Sequence, residues 1–254
     1  MQIILASAKI MNDKLKSIPD VSLSMPRFLN EAEAFARDMV QYSAETIAEI
    51  LGCSQQIAAQ NRHRFMQFFD EKPKLPAVLA YHGQAYKHLK AETLNVDALN
   101  YSQGKLWITS FLYGLLRPLD GILPYRMEGH VELQSGEGQN MFGFWKSRLT
   151  DVLIDAVKAD DGILIHLATE EFQHLFEWQR VRKEVRIIQP LFYVRKGNDL
   201  KIQAVWAKTC RGAMTRFIID NRITNPENLN AFSYEGFEYE PCLGEPDYPH
   251  FIKQ

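Results

Sequence analysis

Little in this sequence points to an extracellular or membrane setting. Its three cysteines, Cys53, Cys210 and Cys242, are odd in number and far apart in a chain of 254 residues. They suggest a reducing compartment and no disulfide framework. No apolar run approaches the ~20 residues needed to cross a bilayer. The N-terminus, M-Q-I-I-L-A-S-A-K, has no basic residue ahead of its short apolar run, so it reads as a first strand and not as a signal peptide. A cytoplasmic protein without a membrane partner is expected. CxxC and HExxH are absent and the seven histidines show no ligand spacing, so neither a protein-built metal site nor a cofactor is expected. P-loop, GxSxG and GxGxxG motifs are absent too, which disfavours the commonest nucleotide-binding and hydrolase classes.

An excess of positive charge is also missing. The formal net charge is -2, which argues against a histone-like binder. The distribution is uneven, however. Arg180 to Lys196 holds six basic residues and one acid, whereas Glu227 to the end holds six acids and one base. A neutral chain can still present a basic stripe. Two oppositely charged solvated surfaces account for the same pattern.

What is present is an alternation of helical and strand patterns without repeats, low-complexity tracts or Gly/Ser linkers. It predicts one mixed α/β (α+β) domain over residues 1–254, whose hydrophobic fraction of 46% is that of a globular protein. Gln2 to Ala6, Ala77 to Tyr81, Leu106 to Ser110 and Ile163 to Ala168 read as buried strands. Pro26 suits the first turn of a helix running to about Tyr42, with Phe28, Ala32, Phe35 and Met39 at helical spacing. Ser43 can cap a second helix through Leu51, and a third runs on towards Phe69. Asn140 to Ala159 and Lys208 to Arg222 are long helices. Val185 to Arg195 and Leu200 to Ala207 flank Gly197-Asn198-Asp199, a hairpin signal.

Residues 43–69 form a helix–break–helix. Ile50 to Ala58, I-L-G-C-S-Q-Q-I-A, resembles the helix-hairpin-helix motif, in which backbone N–H groups at a tight turn grip a phosphate. Gly52 fits the first glycine of that turn, and Ser54 stands where the second usually is. Arg62 and Arg64 lie further along, beside Asn61, and could add phosphate contacts. A plain αα-hairpin with Gly52 as C-cap fits the same residues.

The most informative stretch is Ile108 to Met127, I-T-S-F-L-Y-G-L-L-R-P-L-D-G-I-L-P-Y-R-M. Arg117 precedes Pro118 and is pushed out of the α region. Arg126 follows Pro124-Tyr125. Two arginines, Tyr125 and Asp120 thus sit on a stiff loop beside a strand end, a place that carries function more often than a packed core does. An Arg117–Asp120 pair that merely ties the loop is the alternative. In the last helix Lys208, Arg211, Thr215 and Arg222 fall within a ~60° stripe at 100° per residue. No acid stands at i+4 from Lys208 or Arg211. Lys9 follows the first strand after three small residues and gains interest if it meets other cations, since a lysine in a cationic cleft can become a nucleophile. His82-Gly83 and His166, with Thr169-Glu170-Glu171, follow other strands; His166 reads as a hydrogen-bonded core residue.

Together these residues resemble the YaaA family of peroxide-stress proteins. The resemblance runs to about Glu240. Its most specific parts are L-Y-G-L-L-R-P-L-D…P-Y-R (Leu112 to Arg126) and K-T-C-R-G-A-M-T-R-F-I-I-D-N-R (Lys208 to Arg222), with N-R-H-R-F (Asn61 to Phe65) and Y-H-G-Q-A-Y (Tyr81 to Tyr86) beside them. The family usually begins Ser-Pro-Ala-Lys, where this chain has Ala6-Ser7-Ala8-Lys9. The resemblance implies a mixed α/β domain of unusual topology with a helix-hairpin-helix. It also implies double-stranded DNA binding in a basic cleft and a role in surviving hydrogen peroxide by limiting free iron and DNA damage.

Two readings follow. In the first, the protein binds DNA phosphates, without regard to sequence, through Gly52, Ser54, Arg62, Arg64, Arg117, Arg126, Lys208, Arg211 and Arg222. In the second, it is an enzyme acting on damaged nucleic acid or a small anionic metabolite, with Lys9, Asp120, Tyr125 and Lys208 as catalytic candidates. A scaffold whose cleft is only structural is the third possibility. Both functional readings predict that at least three of Lys9, Arg117, Arg126, Lys208 and Arg211 share one pocket, able to hold an anion or phosphate.

Overall fold

A computed structural model describes residues 1–14 and 20–254. The first strand, β1 (Gln2–Ala6), is a nearly continuous apolar run and is buried, the pattern of a parallel strand covered on both faces. Three helices follow, α1 (Leu29–Val40), α2 (Ala44–Leu51) and α3 (Gln55–Met66). The Ser43 hydroxyl caps α2 by accepting from Thr46 N–H, and Ser54 caps α3 by accepting from Ile57 N–H. Between them Gly52 sits at φ +55° and Cys53 N–H reaches back to the Ala48 carbonyl, so α2 ends in a glycine C-cap.

Leu75–Pro76 form a two-residue strand, β2, and Ala77–Ala80 a single helical turn, α4. The expected strand from Ala77 to Tyr81 does not form. The N–H groups of Ala77 and Val78 are taken by the carbonyls of Asp120 and Pro118, and Tyr81 N–H closes on Ala77. A short, wholly apolar run carries no period that separates buried strand from buried helix. Next come α5 (Gln84–Leu89), α6 (Val96–Lys105), β3 (Leu106–Ser110), β4 (Gly114–Leu116) and β5 (Gly121–Ile122), which pairs with β2. They are followed by α7 (Met141–Lys158), β6 (Ile163–Leu167), α8 (Trp178–Glu184) and β7 (Arg186–Ile188). The chain ends with β8 (Leu191–Lys196), β9 (Asp199–Lys201), α9 (Ala204–Asn221), β10 (Ser233–Tyr234), β11 (Phe237–Glu245) and β12 (Tyr248–Lys253).

Two five-stranded sheets result, making a mixed α/β fold. The first has the order β4-β3-β1-β6-β7, with β3, β1, β6 and β7 parallel and β4 antiparallel at one edge. The second runs β10-β11-β12-β8-β9. The expected strand from Val185 to Arg195 divides at Gln189-Pro190 into β7 and β8, which belong to different sheets. Pro190 has no N–H to offer a ladder, and Gln189 N–H turns to the Asp247 carbonyl. The expected strand from Leu200 stops at Lys201, and α9 starts at Ala204. The acidic C-terminal stretch, legible in sequence only as charge, supplies three strands. The buried apolar residues of both sheets form one contiguous cluster.

Candidate anion-binding cleft

Parallel strands gather the loops that follow them at one edge of a sheet, and ligands of open α/β sheets bind there. In this protein a cavity of about 340 Å³ opens at the carboxyl ends of β1, β3 and β6. Its walls are the loop Ala6–Ile10 after β1, Phe111 after β3, Thr169 and Phe172 after β6, the start of α5, the segment Tyr125–Glu128, and Lys208 and Arg211 of α9. Small residues set these walls close together. A Cβ on Gly83 would lie 2.6 Å from the Ala8 Cβ, and one on Gly212 only 1.8 Å from the Ala85 carbonyl oxygen. Glycine at 212 therefore lets α9 press on α5 and carry Lys208 and Arg211 to the cavity wall.

Lys9, Arg126, Lys208 and Arg211 meet in this one cavity. Two of them share an acid that the sequence reading missed. Glu128, 6% exposed, accepts from Arg126 Nε at 3.1 Å, lies 3.0 Å from Arg126 Nη2 as an ion pair, and has its Oε2 2.8 Å from Lys9 Nζ. Lys9 itself is 62% exposed, so this pair faces the cavity mouth. The only signal for Glu128 was its place two residues after Arg126. The Arg126 backbone is clasped by buried Asn61, whose Oδ1 accepts from Arg126 N–H at 2.8 Å and whose Nδ2 donates to Arg126 O at 3.0 Å. Asn61 is thus a clamp for the loop.

Lys208 and Arg211 are different. Among the described residues neither side chain makes a hydrogen bond within the protein or an ion pair. Burial pushes the Arg211 guanidinium down from its ordinary value, partly offset by Glu170 nearby; an arginine so placed remains a cation. Thr215, expected in the same stripe, is fully buried and its hydroxyl donates to the Arg211 carbonyl.

Tyr125 lines the cavity and joins a buried chain of hydroxyls, 2.6 Å from Ser110 Oγ and 2.8 Å from the Tyr81 hydroxyl. Burial pushes the Tyr125 phenol up to about 12, although its hydrogen bonds pull the other way. It is therefore a neutral hydrogen-bonding group at ordinary pH. His166 is buried against Trp178, and its Nδ1 has no partner among the described residues. Burial, with Arg211 and Arg182 near, takes that ring down to about 3.

The other expected contacts lie elsewhere. Arg117 follows β4, and β4 is antiparallel, so the chain has returned to the amino end of the sheet. There the Arg117 guanidinium carbon lies 3.2 Å from the Trp107 ring centre, and Nη1 donates to Gln2 Oε1 at 3.2 Å and to Leu106 O at 3.3 Å. Burial holds its guanidinium down to about 10, with Asp120 opposing. Asp120 is absent from the cavity wall as well. It accepts from Arg117 backbone N–H at 2.8 Å and from Ser24 Oγ at 2.7 Å, so it closes the turn. Burial raises its carboxyl despite those two donors. Arg62 Nε donates to Tyr42 O, Arg64 pairs with Asp13 at 2.7 Å, and Arg222 pairs with Asp97 over the Tyr101 ring. Gly52 and Ser54 sit at the αα-hairpin tip, outside the cavity wall. In the basic segment Arg180 meets Asp151 and Glu184 and Arg186 meets Asp247, while Arg182 and Arg195 donate to Tyr248 and Gln254.

Among the described residues, no three His, Cys, Asp or Glu side chains gather as a metal would require, and no helix is long and apolar enough to cross a membrane.

The chain matches the family model described as "Peroxide stress protein YaaA" over residues 1–243. A UPF0246 protein of Phocaeicola vulgatus is 46% identical over 241 residues, 94% of each chain. One from Bacteroides thetaiotaomicron is 42% identical over 246 residues, 96% of this chain and 95% of the relative. One from Porphyromonas gingivalis is 36% identical across the full length of both. A match of this extent places the chain in the peroxide stress protein YaaA family.

Proposed function

We propose that this protein serves the response to hydrogen peroxide in the cytoplasm by binding an anion in the cleft at the carboxyl ends of β1, β3 and β6. Limitation of free iron and DNA damage is placed downstream of that binding. One observation carries the reading. Of the cations expected to contact phosphate, Arg62, Arg64, Arg117, Arg126 and Arg222 are already engaged within the protein, whereas Lys208 and Arg211 are not, and both line the same cavity. A half-buried guanidinium without a partner is costly unless a ligand supplies one. Titration calorimetry with inorganic phosphate tests this. Arg211→Met is expected to weaken binding about tenfold or more, because a charge-assisted hydrogen bond is lost. Equal affinity in a folded variant would overturn the proposal.

A second reading, in which the protein also grips a phosphate of double-stranded DNA outside the cavity, draws on the hairpin tip. Gly52 has open space around its α-carbon and a left-handed backbone, so a phosphate can approach the start of α3. Binding of duplex oligonucleotides of unrelated sequence should then be equal at fixed salt and fall steeply between ~50 and ~200 mM salt. Gly52→Val should weaken it. A strong preference for one sequence, or indifference to Gly52→Val, would count against this reading.

A further inference from the structure

Building on that anion-site reading, we infer that the cleft selects a dianionic phosphomonoester carried on an apolar body, over a singly charged phosphodiester or carboxylate. The charges in the cavity wall argue for a dianion. Lys9 and Arg126 share the one carboxylate of Glu128 at salt-bridge distance, which leaves that group with one net positive charge. Lys208 and Arg211 add two more, and Glu171 at the rim removes one; Glu170 lies near Arg211 but outside the lining. The balance among the lining residues is two positive charges, the complement of a fully ionised phosphomonoester.

Donors support the same assignment. A phosphomonoester has three terminal oxygens, each a strong acceptor. Arg211 offers a planar fork with no partner among the described residues, and Lys208 offers a compact ammonium. In the same lining, no hydrogen bond among the described residues uses the peptide N–H of Ala8 or Lys9, and the Thr169 hydroxyl is equally uncommitted. These groups come from two separate loops and one helix, and all of them line the one cavity.

The rest of the cavity suits the organic part. Phe111 and Phe172 stack on each other with centroids 4.9 Å apart, and both line the wall beside Tyr86. The space, about 340 Å³, is at the small end of ligand pockets. A duplex cannot enter it, whereas a single phosphorylated group can. That group could belong to a free metabolite or to the phosphorylated end of a nucleic acid. The chemistry recognised is the same.

Titration calorimetry at fixed pH and salt would compare phenyl phosphate, methyl phenyl phosphate, benzoate and inorganic phosphate. Phenyl phosphate is expected to bind at least about tenfold tighter than its methyl ester and than benzoate, since each has lost one charge. It should also bind tighter than inorganic phosphate, which lacks the apolar body. The preference for the monoester should fall in Arg211→Met and persist in Arg222→Met, which alters a distant cation. If Arg211→Met does not fold, Lys208→Met replaces it. Equal affinity for monoester and diester would overturn this inference and leave the anion site standing; no binding of any of these anions would overturn both. A 5′-phosphorylated duplex that binds tighter than its 5′-hydroxyl counterpart identifies a nucleic-acid end as the source. Equal binding of the two, with phenyl phosphate still bound tightly, identifies a free phosphorylated metabolite.

Discussion

Arg117 and Arg126 leave the same proline-bounded loop and finish at opposite edges of one sheet. Arg117 is folded into the amino end, stacked on Trp107 and bonded to Gln2 and Leu106. Arg126 reaches the carboxyl end, where it shares Glu128 with Lys9 beside an open cavity. The amino edge is closed in the same manner elsewhere. The N-terminal ammonium, Lys105 and Gln2 converge on Asp160. The carboxyl edge instead keeps Lys208 and Arg211 unpaired among the described residues. Cations at the first edge stabilise the protein; at the second, Lys208 and Arg211 are available to a ligand.

The sharpest way to break that contrast is Asp120→Ala. It strips acceptors from the Arg117 N–H and the Ser24 hydroxyl in a buried turn, so a loss of ~3 kcal/mol is expected in denaturant unfolding. Anion binding should be unchanged. Arg117→Ala comes next, at ~2 kcal/mol, through lost stacking and two lost hydrogen bonds. If Arg117 belonged to the cleft, the variant would lose ligand affinity and keep its stability, the reverse of this expectation. Arg211→Met provides the opposite pattern. Removing an unpaired, half-buried charge should leave the melting temperature level or raise it by the equivalent of ~1 kcal/mol, while phosphate affinity falls.

Gly52→Ala has a smaller expected effect, about 1 kcal/mol. The new methyl meets open space, and only the left-handed backbone at φ +55° resists it. The smallest effect belongs to Asp160, whose carboxylate borders solvent. Burial raises its carboxyl, but Lys105, Gln2 and the N-terminal ammonium outweigh this and bring it down to about 2. A depressed folded-state value means stability that is complete above the ordinary carboxylate range near 4 and lost as pH falls towards about 2. Asp160→Asn should flatten that part of the acid-unfolding curve. A curve unchanged by the substitution would mean the cluster at the amino edge contributes nothing.

Much of the local structure was legible. Ser43 caps the helix that its position predicts, Gly52 breaks the hairpin, and the helix read from Asn140 forms as α7, with the Asn140 side chain accepting from Gly143 N–H. Each depends on a few neighbouring residues. The misreadings share a different cause. Ala77–Tyr81 looks like a strand until the carbonyls of Pro118 and Asp120, some forty residues on, take its N–H groups. Val185–Arg195 looks continuous until two sheets claim its two halves. The strands after Phe232 are short or strongly polar, and their hydrophobic inner face appears only once β12 has β8 beside it.

The site divides along the same line. By itself the sequence determined that cations follow β1, follow Pro124-Tyr125 and lie in one turn of α9, because residue type and helical or turn spacing are local properties. It also determined the family, through segments spread along the chain. Only the tertiary structure decided which cations meet. β4 runs antiparallel to β3, and that pairing, a non-local choice, carries Arg117 away from the edge where Arg126 arrives. Only the tertiary structure brought Glu128 between Lys9 and Arg126 and left Lys208 and Arg211 without a salt bridge among the described residues. Whether a charge is neutralised in the fold depends on what packs beside it, and a sequence lists charges without their neighbours in space.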